Sequence, residues 1–174
     1  MSLLDEVAGV LRERIGDTQR IDHGVIDRRF IQRYAVAIDD HDPLFSDPDH
    51  ARAAGFDDVV APPNMLASVV EWGRGGWQDE LKPDGTGDEG SLSEATRGIR
   101  VMGGGEEMEL LHPLVAGMRL IETQTLADVV LKEGRAGRLL LMHSDVSFQA
   151  EGGPVLCRNR RTILGREPVQ ETQA

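Results

Sequence analysis

Aspartate and histidine stand side by side at Asp40 and His41, in a run Asp39-Asp40-His41-Asp42 that ends at Pro43. Side chains of these two types take up and release protons and are the usual general acids and bases. Neighbours on a loop point apart, so His41 is a poor second base beside Asp40. Asp40 itself reads equally well as a loop carboxylate accepting a backbone N–H. Ser46 follows, but nothing positions it as a nucleophile, and Asp40, His41 and Ser46 do not make a triad. The histidines His23, His41, His50, His112 and His143 show no HExxH-type spacing, so no metal is expected. Gly103-Gly104-Gly105 lacks the order and the following helix of a phosphate-binding loop. It reads as a bulge, a close approach of backbone to a ligand, or an ordinary strand irregularity. Arg158, Arg160, Arg161 and Arg166 suit phosphates or an acidic partner, or else mark a solvated strand.

These residues must be positioned by helices first and strands second. Leu3, Leu4, Val7, Val10, Leu11 and Ile15 share one face of an N-terminal helix over 1–15, with Gly16 as its stop. Asp27 can cap a second helix reaching Ile38, with Phe30, Ile31, Tyr34 and Ile38 on one face. Asp47, Pro48 and Gly55 mark the cap, first position and end of a short third helix. A fourth, largely buried helix is expected from Pro63 to Trp72, carrying Met65, Leu66, Val69 and Val70. Asn64 would cap that helix or turn its amide to a ligand. Glycines and acids break any period over 73–97, which reads as a long mobile loop. Strands follow over 99–111, 118–133, 139–149 and 155–165, the last three as an antiparallel meander. In the third of these, Val146, Phe148 and Ala150 alternate with Asp145, Ser147 and Gln149, giving one face to a core. The whole is a single α+β domain over 1–174 with a disordered tail at 167–174.

The net charge of −11 argues against nucleic acid and against an anionic membrane surface as partners. No apolar run is long enough to span a bilayer, and Met1–Glu6 lacks the basic start of a secretory leader. With Cys157 alone, no internal disulfide can form. A cytoplasmic location is the default expectation.

Tyr34-Ala35 followed by Asp40, Pro43, Leu44 and Asp47 resembles the signature of MaoC-type hydratases, Tyr-Ala-x-x-x-Gly-Asp-x-Asn-Pro-Leu-His-x-Asp. Ala53-Ala54-Gly55-Phe56, Val59-Val60-Ala61-Pro62-Pro63, Gly103-Gly104-Gly105-Glu106, His112-Pro113-Leu114, Gly117-Met118-Arg119-Leu120 and Arg160-Arg161-Thr162 resemble the FAS1-like dehydratase branch. The resemblance covers roughly 15–166. It implies a hotdog fold, in which a long central helix, here Pro63 to Trp72, is wrapped by a curved antiparallel sheet. It also implies pairing of two such units, with acyl sites at their interface, and addition or removal of water on a CoA or acyl-carrier thioester. No cofactor is implied beyond the CoA or phosphopantetheine of the substrate.

Such chemistry needs a base for the proton beside the thioester carbonyl, an acid for the leaving hydroxyl, and an N–H donor for the enolate-like oxygen. In the family an Asp and a His five residues later supply the acid and base. This chain keeps Asp40 but has Phe45 at the His position. Pro62-Pro63 replaces the family's His-Gly, and proline offers no N–H. A donor would come from Asn64 or Met65, while Gly104 could let an acyl chain approach. The pattern is that of the branch lacking the catalytic His, whose domains hold substrate beside a catalytic hotdog subunit. A self-sufficient homodimeric enoyl-CoA hydratase and a non-catalytic acyl-CoA binding protein are the alternatives.

Overall fold

Period-two alternation along the C-terminal half builds an antiparallel sheet. The computed structural model describes residues 2–70, 76–81, 92, 94–134 and 137–168. Its helices are α1 (Leu3–Glu13), α2 (Arg28–Ala37), α3 (Pro48–Ala53) and α4 (Met65–Ser68), with a 3-10 turn at Pro43–Phe45. Its strands are β1 (Thr18–Val25), β2 (Arg100–Leu110), β3 (Arg119–Gly134), β4 (Gly137–Ala150) and β5 (Val155–Arg166). They form one sheet in the order β1-β3-β4-β5-β2, every pairing antiparallel.

The inward residues of β4, from Leu140 through Met142, Ser144, Val146 and Phe148 to Ala150, are all buried, as the alternation requires. Two apolar clusters cover that face. Leu4, Val7, Ala8 and Leu11 of α1 pack on Leu126, Val129, Leu140 and Met142. Met65 and Leu66 of α4, with Ile31 of α2, pack on Leu120, Val146, Phe148 and Cys157. The fold is therefore α+β of the hotdog type, with α4 against the sheet.

Caps decide where the helices stand. Ser2 and Asp5 close a capping box on α1. Asp27 accepts from Arg29 N, and Asp47 from both Asp49 N and His50 N. Gly55, at φ 96°, ends α3 in a left-handed turn in which Phe56 N bonds Ala51 O.

Three expectations need correction. The helix expected from Pro63 to Trp72 is, among the described residues, the four-residue α4. Two consecutive prolines supply no N–H and the second disfavours the helical conformation at the first, so the helix opens only after Asn64; Trp72 lies outside the described residues. Strand structure does not wait for the C-terminal half, because β1 pairs with β3 directly after α1. Its alternation is faint since β1 is an edge strand and mostly exposed. On α1 and α2 the apolar stripes are narrower than the sequence face: Leu3, Val10, Ile15, Phe30 and Ile38 are exposed. Most of the loop expected over 73–97 and of the tail over 167–174 lies outside the described residues. Where its end is described, Leu92 and Ala95 pack beneath α1.

Candidate functional site

The turn that presents Asp40 is the C-terminal cap of α2. Ile38 ends the helix, and Asp39 takes the left-handed conformation at φ 57°. Asp39 N then bonds Val36 O and Asp40 N bonds Ala35 O at 3.0 Å, a Schellman arrangement. The resembling signature has glycine at position 39, which this conformation favours. Asp40 is exposed, and its Oδ1 accepts the N–H of Asp42 at 3.1 Å. His41 turns to Asp39, with Nε2 3.0 Å from Oδ1, and its side chain is 89% exposed. Asp42 caps the 3-10 turn through Leu44 N, and that turn folds Phe45 inward. Phe45 is 9% exposed and packs with Ala35, Val60 and Val115.

The start of α4 is tied to the same loop. Val60 N donates to Leu44 O at 2.9 Å, and Ala61 N to Leu114 O at 2.8 Å. Met65 is fully buried and its N–H already donates to Pro62 O at 2.9 Å, so it is not a free donor for a substrate oxygen. Asn64 is exposed at the N-cap position, yet its side chain makes no capping bond. Tyr34 Oη lies 2.6 Å from Ser68 Oγ, which donates to Asn64 O at 2.8 Å, so α2, α4 and Asn64 form one hydrogen-bonded unit. The structure thus brings Asp40, Phe45, Asn64 and Met65 into neighbouring segments.

Gly104 lies apart from them, at the β2 edge. It is the extra residue of a bulge between Gly103 and Gly105. A Cβ there would meet Leu164 Cγ at 2.9 Å and Thr162 O at 3.0 Å. The close approach at Gly104 is to β5. The arginines are cross-strand partners: Arg158 pairs with Glu109, Arg160 with Asp145 and Arg161 with Glu106. An open groove of about 540 Å³ lies at the start of α2, along Val25, Ile26, Arg28, Asp58 and Gly117, and none of the expected site residues lines it.

Two buried polar features escaped the sequence reading. His23 is the bulged residue of β1, between Asp22 and Gly24. Its Nε2 lies 2.7 Å from Glu122 Oε2, with side chains 7% and 1% exposed. Mutual hydrogen bonding offsets the cost of burying both groups, and the Phe148 ring lies tilted beside His23, centroids 6.4 Å apart. The signals were a histidine in the Ile21-His23-Val25 alternation and an acid inside Leu120-Ile121-Glu122. The second is Asn159, 3% exposed on the inner face of β5. Neither its Oδ1 nor its Nδ2 meets a hydrogen-bond partner among the described residues. Each unmade bond costs about 1–3 kcal/mol. Two residues on, burial pushes the Arg161 guanidinium down from its ordinary pKa. Burial pushes the Cys157 thiol up, away from the reactive thiolate.

The family described as the FAS1-like dehydratase domain region matches residues 14–158. The chain belongs to the FAS1-like dehydratase family. A UPF0336 protein of Parafrankia sp. (strain EAN1pec) is 28% identical over 145 residues, covering 81% of this chain and 83% of the relative. Among solved structures, a chain of the ChsH1–ChsH2 complex of Mycobacterium tuberculosis is similar at TM-score 0.72 and 23% identity, covering 97% of this chain and 99% of that one. A chain of the HadBC (3R)-hydroxyacyl-ACP dehydratase complex of Mycobacterium tuberculosis is similar at TM-score 0.62 and 17% identity, covering 87% and 97%. At these identities the structural likeness speaks for the hotdog fold.

Proposed function

We propose that this FAS1-like dehydratase domain is the substrate-holding subunit of an acyl-thioester hydratase/dehydratase, and that a second hotdog subunit supplies the acid/base pair. One observation carries the reading. Where the resemblance puts the catalytic histidine, the chain buries Phe45 among Ala35, Val60 and Val115, while Asp40 spends one oxygen on Asp42 N. A phenyl ring transfers no proton, so the loop holds half of the required pair.

The resemblance to the ChsH1–ChsH2 and HadBC complexes, both assemblies of two named subunits, supports a hetero-oligomer. The substrate is a CoA or acyl-carrier thioester. In this reading α4 and the turn ahead of it form one wall of the acyl site, and the partner's loop faces it across the interface. The partner's carboxylate and imidazole move the two protons.

The experiment is hydration of a panel of enoyl-CoAs by the purified chain, alone and mixed with a hotdog protein that carries the full Asp-x-Asn-Pro-x-His motif. The chain alone is expected to be nearly silent, since a missing proton-transfer group costs about 10²- to 10⁴-fold. The mixture is expected to turn over, and Asp40→Asn to lower its rate only modestly. Ordinary turnover by the chain alone, abolished by Asp40→Asn, would replace this reading with a self-sufficient homodimer. Acyl-CoA binding without turnover in either sample would favour a binding protein.

A further inference from the structure

The inner face of the sheet is not apolar throughout. Between the cluster beneath α4 and the cluster beneath α1 runs a polar belt of Gln124 on β3, Ser144 on β4, Asn159 and Arg161 on β5, and Glu106 on β2. Ser144 and Asn159 are buried, and Arg161 is anchored by Nε to Glu106 Oε1 at 3.0 Å. Asn159 sits directly opposite Val146 on one side and Met108 on the other. Neither can bond an amide. A leucine of the same branching would fill that place without any unmade hydrogen bond, so packing alone does not account for the asparagine.

We propose that the belt at Asn159 receives an oxygen of the bound acyl group, so that the favoured substrates carry a hydroxyl or carbonyl remote from the thioester. This rests on the acyl-thioester reading above and adds the class of acyl chain. A chain inserted beneath α4 has to part Met65 and Leu66 from Phe148 and Cys157, which otherwise pack as one buried cluster. One inward row further along β5, about 7 Å at strand rise, it meets the amide of Asn159. A methylene there leaves both amide atoms unpaired. A hydroxyl accepts from Nδ2, and a rotated one donates to Oδ1. Discrimination of this kind is strong because the site built for the polar group is penalised without it.

The test is a calorimetric titration of ω-hydroxyacyl-CoAs and their alkyl counterparts of equal length into the purified chain, with and without its hotdog partner. At one chain length the hydroxyl compound is expected to bind about tenfold tighter, the effect of one recovered hydrogen bond. In Asn159→Leu, checked for fold by circular dichroism, that preference should vanish while alkyl chains bind at least as well. Equal binding at every length, or a preference that survives Asn159→Leu, overturns this inference and leaves the acyl-thioester reading standing. Failure of every acyl-CoA to bind sinks both.

Discussion

Asp39 holds φ at 57°, where most side chains crowd the following carbonyl. Aspartate tolerates the conformation better than most residues, and its pairing with the highly exposed His41 adds little. Asp39→Gly is therefore expected to raise stability by about 0.5–1 kcal/mol in urea denaturation; a loss would mean that the turn draws on the carboxylate. The opposite holds for Glu122, buried against His23. Glu122→Ala strips a buried imidazole of its partner and should cost about 3 kcal/mol, and a change within error in the same assay would remove the pair from the stability account. Local chemistry was legible at this scale: Asp27 and Asp47 cap the helices that their positions before the apolar stripes imply. His23 and Glu122 are 99 positions apart, and no local spacing announces their meeting. Asn159 was hidden for the same reason, since its surroundings come from β2 and β4.

At the level of elements, three arginine–aspartate pairs fasten one element to another, two of them where no backbone ladder runs. Arg138 of β4 holds Asp5 of α1, Arg119 of β3 holds Asp22 of β1, and Arg28 of α2 holds Asp58 ahead of α4. Hydrogen bonds from these guanidiniums hold all three carboxyls below their ordinary pKa. A carboxyl depressed in the folded state stabilises above its unfolded value, near pH 4, and that contribution is lost as pH falls through the lower folded value. The urea midpoint should therefore drop below about pH 4. Arg138→Gln should make the drop smaller, and an unchanged acid profile would show that α1 is not held this way. The C-terminal strands were readable because their inward residues recur every second position. β1 was not, because its charges and edge placement blur the period, and α4 was overestimated because a run of apolar residues does not reveal where a helix stops.

Among the described residues the sheet of the molecule has two open edges, β1 and β2. Both carry a bulge, at His23 in β1 and at Gly104 in β2, so the bulges do not choose between them. β2 is longer, and exposed Met102 and Leu110 flank its charged middle. Association through β2 is expected at micromolar concentration, as a homodimer or with a hotdog partner. Light scattering that finds monomer alone, in the mixture as well, would count against it. The expectation of pairing comes from the resemblance; the choice of edge comes from the strand order, because β2 and β5 are joined in space and not in sequence.

The inward fold of Phe45 also closes a route back. A single codon change to histidine looks like a repair of the acid/base pair, yet the position faces Ala35, Val60 and Val115. An imidazole placed there would be buried among aliphatic groups with nothing to bond. Phe45→His is expected to lose about 2–3 kcal/mol and to give the lone chain no hydratase activity in the enoyl-CoA assay. Recovering the pair would require the 3-10 turn to swing outward as well, so under the proposed reading one substitution at this position does not restore an acid/base site.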